Sequence, residues 1–176
     1  MKLKNLIAIA CIGRNGELGA GNDLIWKFKE DLQTFKKITM GSPMVMGLNT
    51  YHSLPGILPG RKHLVIADRP FDHPPEVTVF TSLDQFLNYA QLHKVSRTHP
   101  ETDIFVIGGG MIYEQLLPFC DRMILTHVDD TAESCEVFFP TFDANDWTVE
   151  STQDFVSETG ITYKRVEYRA KPTGSV

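Results

Sequence analysis

The sequence predicts a single-domain α/β protein with a mainly parallel central sheet and an antiparallel hairpin near its C-terminus. Its 176 residues are the length of one domain. As far as Pro140, short β-branched apolar runs alternate with helical windows, and beyond it apolar and polar residues alternate. The succession of strands and helices indicates right-handed β-α-β crossovers.

The predicted elements follow in chain order. Buried strands are predicted at residues 6–12, 44–47, 63–67, 104–107 and 123–128. Helices are predicted at residues 28–40, 83–93 and 111–117. The hairpin joins residues 147–153 and 161–169 through a turn at 157–160. The connections at 69–75 and 95–102 are too short to divide the chain, so we expect one domain over residues 1–170 and a flexible tail over 171–176.

Charge and composition exclude several classes of protein. Seventeen Lys and Arg residues against 22 Asp and Glu residues give a net charge of -5, so we expect no nucleic-acid partner. No apolar stretch approaches the roughly 18 residues that span a bilayer, so we expect no membrane contact. Three cysteines without a C-x-x-C pair indicate free thiols in a reducing compartment. We therefore expect a cytoplasmic protein, and the histidine spacing predicts no metal site.

The most informative side chain of the first predicted helix is Asp31. Phe28, Leu32 and Phe35 have the spacing of a core-facing stripe, and Asp31 lies on the same face. One interpretation is an acid in the first turn that complements the helix dipole. The other is a carboxylate in an apolar pocket, which needs a hydrogen-bond donor as its partner. No basic residue shares this helix face, so we expect that partner to be a ligand.

Two strand-to-helix junctions suit a phosphate-bearing ligand. Gly108, Gly109 and Gly110 separate a strand from a helix, and Gly47 leads into a short helix that Thr50 or its neighbour can cap. Neither junction has the G-x-G-x-x-G spacing of a Rossmann fingerprint, and each is also explained as a tight turn. Because ligands bind at the carboxyl ends of parallel strands, the two junctions together favour a dinucleotide.

The chain resembles the dihydrofolate reductase family along nearly its whole length. Eight segments carry the likeness in the family's order and spacing: Leu6-Ile-Ala-Ile-Ala10, Leu18-Gly19 with Trp26, Glu30-Asp-Leu with Phe35-Lys36, Met46-Gly47 with Thr50, Leu58-Pro-Gly-Arg-Lys62, Ile107-Gly-Gly-Gly110 with Tyr113, Leu125-Thr-His127, and Phe139-Pro140. The resemblance implies an eight-stranded sheet with about four helices. It also implies a monomeric oxidoreductase of tetrahydrofolate biosynthesis and one-carbon metabolism, which reduces dihydrofolate with NADPH and is inhibited by antifolates.

In the chemistry that this resemblance implies, Asp31 orients and polarises the pterin ring while a hydride passes from the nicotinamide to the pterin. Asp31 would accept hydrogen bonds from the pterin amino group and ring N–H, and the proton would reach the ring through water. Trp26 would hold a water near the pterin, and Thr126 would support Asp31. The alternative interpretations are an ordinary core aromatic for Trp26 and a strand residue without a special role for Thr126.

The same resemblance implies two sets of contact residues. The substrate-binding residues are Ile7, Ala8, Leu32, Phe35, Leu54, Arg61, Ile107 and Tyr113. Among them, Arg61 would bind the glutamate α-carboxylate through its planar fork. The cofactor-binding residues are Ile9, Leu18, Gly19, Asn22, Leu24, Gly47, Leu48, Asn49, Thr50, Ala67, Asp68, Arg69, Gly108, Gly109, Gly110, Met111, Ile112, Tyr113 and Gln115.

Two departures from the family concern the segment 13–23, which the resemblance implies is a mobile loop that closes over the nicotinamide. Ile25 stands before Trp26 where the family has proline, so the closed geometry of the loop is less preorganised. Cys135 and Glu136 stand where a Gly-Asp pair usually pins the loop. We expect Glu136 to take over that contact.

A third departure concerns the residues that hold the adenosine 2'-phosphate of NADPH. Leu48, Asn49 and Met111 stand where the family commonly has basic residues. Asp68 would repel the phosphate but suits a 2'-hydroxyl, and only Arg69 is left to supply a positive charge. We therefore expect NADPH as the cofactor, with NADH as the alternative.

Two other functions stay open at this point. The missing cations also fit a catalytically silent, folate-binding member of the family. The pyrimidine reductase of riboflavin synthesis shares the architecture, although Asp31 and Arg61, in their respective motifs, argue against it.

Overall fold

Eleven strands and four α-helices make up the described part of the computed structural model, which covers residues 1–21, 23–93 and 103–173. The strands are β1 (Leu3–Ile12), β2 (Glu17–Ala20), β3 (Asp23–Leu24), β4 (Met44–Gly47), β5 (His63–Ile66), β6 (Val77–Phe80), β7 (Ile104–Gly108), β8 (Cys120–Val128), β9 (Val137–Phe138), β10 (Trp147–Val156) and β11 (Thr162–Ala170). The helices are α1 (Lys29–Thr39), α2 (Leu48–Ser53), α3 (Leu83–His93) and α4 (Gly110–Leu116).

Eight of the strands form the central sheet, in the order β10-β11-β8-β1-β7-β4-β5-β6. The neighbours from β8 to β6 are all parallel, while β11 is antiparallel to both β8 and β10. This arrangement confirms the predicted mainly parallel sheet with a hairpin at its edge.

Apolar side chains pack on both faces of this sheet, because successive residues of a strand point to opposite sides. On one face, Leu6 lies in a cluster with Phe86 of α3 and Leu116 of α4. On the other face, the next residue, Ile7, packs against Phe35 of α1. The helices thus cover both faces, as expected for a buried parallel sheet. No helix among the described residues has the length and apolar character needed to cross a membrane.

Four short strands have no counterpart among the individually predicted elements. β6 runs along the far edge of the sheet, and its four residues alternate too briefly to give a clear signal. β2, β3 and β9 form a separate three-stranded sheet in the order β3-β2-β9. The segment 13–23, predicted only as a loop, therefore contains β2 and the start of β3, because β9 supplies a pairing partner more than a hundred residues away.

Some predictions lie outside the described residues. They concern Asn22, the whole connection at 95–102, and the last three residues of the tail, 174–176. The described part of the tail begins directly after β11, which ends at Ala170.

Candidate active site

A cleft of about 2240 Å³ opens along the carboxyl ends of the parallel strands. Its walls include the ends of β1, β4, β5 and β7, together with α1 and the small sheet. Drug-sized ligands fill pockets of roughly 300–1,000 Å³. The volume of this cleft, whose lining continues as far as Trp147 and Lys171, exceeds what one such ligand needs.

Asp31 lies in the wall of this cleft, in the first turn of α1, with a side chain that is 16% exposed. The Thr126 hydroxyl donates to its Oδ1 at 2.6 Å. The Arg165 guanidinium donates to the same oxygen from Nη2 at 3.1 Å. Thr126 thus holds Asp31 as the family resemblance implied, and the carboxylate is fixed by two donors from the central sheet.

Strand register brings these donors together. Thr126 of β8 is paired with Cys11 of β1 on one side and with Arg165 of β11 on the other. Residues in register point to the same face of a sheet, so all three side chains lie opposite α1 and Asp31. Burial, reinforced by the charge of Asp31, raises the pKa of the Cys11 thiol far above its usual value, and Arg165 opposes the shift only in part. The thiol therefore stays neutral.

Arg165 is itself tightly packed, with a side chain that is 8% exposed. Its guanidinium lies over the ring of Phe155 at 4.8 Å from the centroid. Phe155 stacks on Tyr163, and Tyr163 stacks on Phe28, with centroid distances of 5.1 and 4.9 Å. This aromatic stack fixes the position of the arginine beside Asp31.

The prediction that only a ligand partners Asp31 is wrong. It considers the face of α1 alone, whereas Arg165 reaches the carboxylate from β11, 134 residues further along the chain. The face of α1 that carries Asp31 fills the core only in part: Phe35 packs against the sheet, whereas Leu32 is 43% exposed and lines the cleft.

Glycines after β7 pack closely against neighbouring parts of the cleft wall, where a larger residue would not fit. A Cβ on Gly109 would lie 3.3 Å from the Thr50 hydroxyl, and one on Gly110 would lie 2.9 Å from Val137 of β9. Gly110 is also the first residue of α4, whose N–H groups face the cleft end. This cradle fits the pyrophosphate of a dinucleotide, since backbone amides can approach its oxygens closely.

The far end of the cleft is formed by the loop that carries Arg61. Its Nε donates to the Pro59 carbonyl at 3.1 Å and its Nη1 to the Thr39 hydroxyl at 3.3 Å, and burial lowers the pKa of the guanidinium. The fully buried His63 ties the same loop down, because Nδ1 donates to the Arg61 carbonyl while Nε2 accepts from the Leu58 N–H. Burial lowers the pKa of His63, so the ring is the neutral tautomer that this pattern requires.

The small sheet closes the cleft beside the glycines. Gly21 donates its N–H to the Glu136 carboxylate at 3.2 Å, which confirms that Glu136 contacts the segment 13–23. The buried Glu17 anchors the base of this segment by accepting the N–H groups of Asn15 and Ala132, each at 2.6 Å. Burial raises the pKa of Glu17, but these backbone donors outweigh it and hold the pKa below its usual value.

The wall at the ends of β4, β5 and β7 has little positive charge. Asp68 lines it, but Arg69 is absent from the described residues of the cleft wall. The Arg69 side chain is 81% exposed and lies 3.6 Å from the Asp68 carboxylate. The interpretation of Arg69 as a phosphate ligand therefore gains no support from its position.

Most other residues implied by the resemblance lie in the wall of the cleft. From the substrate set these are Leu32, Phe35, Leu54, Arg61, Ile107 and Tyr113. From the cofactor set they are Ile9, Leu18, Gly19, Leu24, Gly47, Leu48, Asn49, Thr50, Ala67, Asp68, Gly108, Gly109, Gly110, Met111, Ile112 and Tyr113.

Four further residues of the implied sets do not line the cleft among the described residues. Ile7 and Ala8 are core residues, each 1% exposed, and Gln115 also lies outside the wall. Trp26 is buried against Val128, and its indole N–H donates to the Asp130 carboxylate at 3.3 Å. The predicted role of Trp26 in holding a water near the pterin needs that N–H, which Asp130 already uses.

Comparisons with known proteins agree with this geometry. The family model described as Dihydrofolate reductase matches residues 5–170. The dihydrofolate reductase of Neisseria gonorrhoeae is 33% identical over 171 residues, which is 96% of this chain and 99% of the relative. That of Bacillus subtilis (strain 168) is 34% identical over 145 residues, 82% of this chain and 81% of the relative.

A solved structure has the same fold. It is a dihydrofolate reductase from Enterococcus faecalis complexed with NADP(H) and RAB-propyl, and it superposes with a TM-score of 0.83 at 25% identity. The match covers 97% of this chain and 99% of the other. With the family model and the curated relatives, this shows that the chain belongs to the dihydrofolate reductase family.

Proposed function

We propose that the protein reduces 7,8-dihydrofolate to 5,6,7,8-tetrahydrofolate with NADPH. The single observation that carries this proposal is the Asp31 carboxylate, fixed by Thr126 and Arg165 in a cleft whose other end is a glycine cradle. The family model and the curated relatives are dihydrofolate reductases, which favours this function over a silent folate-binding protein or a pyrimidine reductase.

Asp31 binds and orients the pterin. An ionised carboxylate accepts about four hydrogen bonds, and Thr126 and Arg165 use the two sites on Oδ1. Oδ2 remains for the amino group and ring N–H of the substrate. A negative charge at this place also favours protonation of the ring, so Asp31 helps the pterin to accept a hydride without itself donating the proton.

Arg61 binds the other end of the substrate. Its loop is held by His63, and its guanidinium is a planar fork that matches the glutamate α-carboxylate of dihydrofolate. Between Asp31 and Arg61, the side chains of Leu32, Phe35 and Leu54 give the apolar surface on which the aromatic part of the substrate packs.

The cofactor pyrophosphate would be held at the glycine cradle, which consists of Gly47, Gly108 to Gly110 and Thr50. NADPH supplies the hydride when bound. The small sheet and Glu136 cover this part of the cleft and exclude water from the reacting rings.

The proposal extends to the state of the protein in the cell. One chain supplies both ends of the cleft, which supports a monomer as the active unit. Its three thiols are free, which supports a cytoplasmic location.

The decay of nicotinamide absorbance in the presence of dihydrofolate tests this function. We expect turnover with NADPH and formation of tetrahydrofolate, identified by mass spectrometry. Folate binding without turnover would support a silent family member instead. Turnover only with the phosphorylated ribosylaminopyrimidine of riboflavin synthesis would identify the other reductase.

A further inference from the structure

The carboxylate that binds the pterin already has a cationic partner within the protein. Arg165 donates to Oδ1 of Asp31 at 3.1 Å, and Thr126 donates to the same atom. Any ligand that donates to this carboxylate comes within a few ångströms of the guanidinium, since hydrogen bonds are about 3 Å long. Arg165 therefore acts electrostatically on every ligand that occupies the pterin subsite.

Packing keeps Arg165 in this place. Its side chain is 8% exposed and lies over Phe155, which stacks on Tyr163. Solvent ions screen a pair this deeply buried much less than they screen surface charges. The positive charge of Arg165 is consequently felt inside the subsite at ordinary ionic strength.

Most groups around the pair are neutral, and the further charge that acts on this cluster is the Glu30 carboxylate of α1. Burial raises the pKa of Cys11 on β1 and that of Tyr163 on β11, so both stay neutral near pH 7. Thr126 on β8 does not ionise. Asp31 and Arg165 thus present a carboxylate whose negative charge is partly offset by the guanidinium.

We propose that Arg165 is a specificity-determining residue, which weakens the preference of the pterin subsite for ligands that carry a positive charge on the ring facing Asp31. This inference rests on the proposed function, because it assumes that pteridine rings bind at Asp31.

The discrimination follows from the chemistry of two ring types. A 2-amino-4-oxo ring, as in folates, is neutral and donates ordinary N–H groups to the carboxylate. A 2,4-diamino ring is more basic, takes up a proton next to the carboxylate and binds as a cation. An unpaired carboxylate attracts such a cation strongly, whereas a carboxylate paired with Arg165 attracts it less, because the guanidinium and the cationic ring repel each other.

Folic acid and aminopterin form a matched pair of probes, since they differ only in the oxo or amino group at ring position 4. Both carry the same glutamate tail, so contacts with Arg61 cancel in the comparison. Titration calorimetry at neutral pH gives the dissociation constant of each for wild type and for Arg165→Met, which keeps an unbranched side chain and removes the charged guanidinium.

For Arg165→Met we expect aminopterin to bind about tenfold to a hundredfold more tightly, while folic acid changes by no more than about threefold. Arg165→Lys retains the charge and should keep the wild-type ratio of the two constants. Arg169→Met is the matched control, because Arg169 lies on the same strand but pairs with Asp121 and Glu150 away from the subsite. It should leave both constants unchanged.

An equal change in both constants for Arg165→Met would overturn the proposal, as would a lysine variant that behaves like the methionine variant. Thermal unfolding reports whether each protein is folded. If the methionine variant does not fold, Arg165→Gln, which keeps an N–H donor without the charge, is judged by the same ratio. Absence of turnover with dihydrofolate in wild type would refute the proposed function separately, since the binding ratio is measured without turnover.

Discussion

Replacing Asp31 by asparagine tests the chemistry of the site with one oxygen-to-nitrogen change. The amide keeps the size of the side chain but cannot act as an anionic acceptor for the two pterin donors. Hydrogen bonds to charged groups contribute about 1.5–3 kcal/mol each, so two of them amount to about 3–6 kcal/mol. At about 1.4 kcal/mol per tenfold change in rate, turnover should fall by about 10²- to 10⁴-fold at neutral pH.

Steady-state rates with NADPH and dihydrofolate, measured across pH, give the comparison. The rate of Asp31→Asn should recover as pH falls, because the substrate then protonates without help from the carboxylate. Asp129→Asn is the control: Asp129 is an exposed acid paired with Arg14, and its loss should leave the rate unchanged. An Asp31→Asn enzyme within a few-fold of wild type at neutral pH would remove Asp31 from the mechanism.

Three further predictions concern other residues. Arg61→Lys should raise KM for dihydrofolate several-fold with little change in kcat, because the guanidinium that it removes binds a carboxylate remote from the reacting atoms. An unchanged KM in steady-state assays would refute this contact. Asp68→Ser should increase the ratio of kcat/KM for NADPH over NADH by a few-fold, because it removes a negative charge from the cleft wall; an unchanged ratio would place the 2'-phosphate elsewhere. His63 has a lowered pKa in the folded state, so the unfolded chain binds its proton first as pH falls. The melting temperature should therefore decrease as pH falls below about 6.5. His63→Gln should make this decrease smaller, whereas His52→Gln, which changes an exposed histidine, should not. The same dependence of melting temperature on pH in wild type and His63→Gln would contradict the prediction.

The central sheet was predictable because its strands are buried on both faces. Runs such as Leu6–Ile12 are apolar throughout, and only a fully covered strand tolerates that pattern. β6 and the small sheet were not, because a polar residue interrupts both β6 and β2, and β3 and β9 are only two residues long. Their pairing is decided by distant partners, as where Glu17 of β2 pairs with Phe138 of β9.

The site was predictable where a local motif marks it. Asp31 stands out because it interrupts an apolar helix face, and Gly108 to Gly110 mark a strand-to-helix junction. Arg165 was missed, because its contact with Asp31 depends on the register between β8 and β11. One signal was present in the sequence. Arg165 lies two residues after Tyr163 and therefore on the same, buried face of the strand, where an arginine needs a carboxylate partner.

A structure of the protein in complex with folic acid tests the central claim most directly. The account predicts that the amino group and ring N–H of the pteridine lie within hydrogen-bond distance of the Asp31 carboxylate, and that the glutamate α-carboxylate lies on Arg61. A pteridine bound elsewhere in the cleft, with Asp31 still contacted only by Thr126 and Arg165, would contradict it.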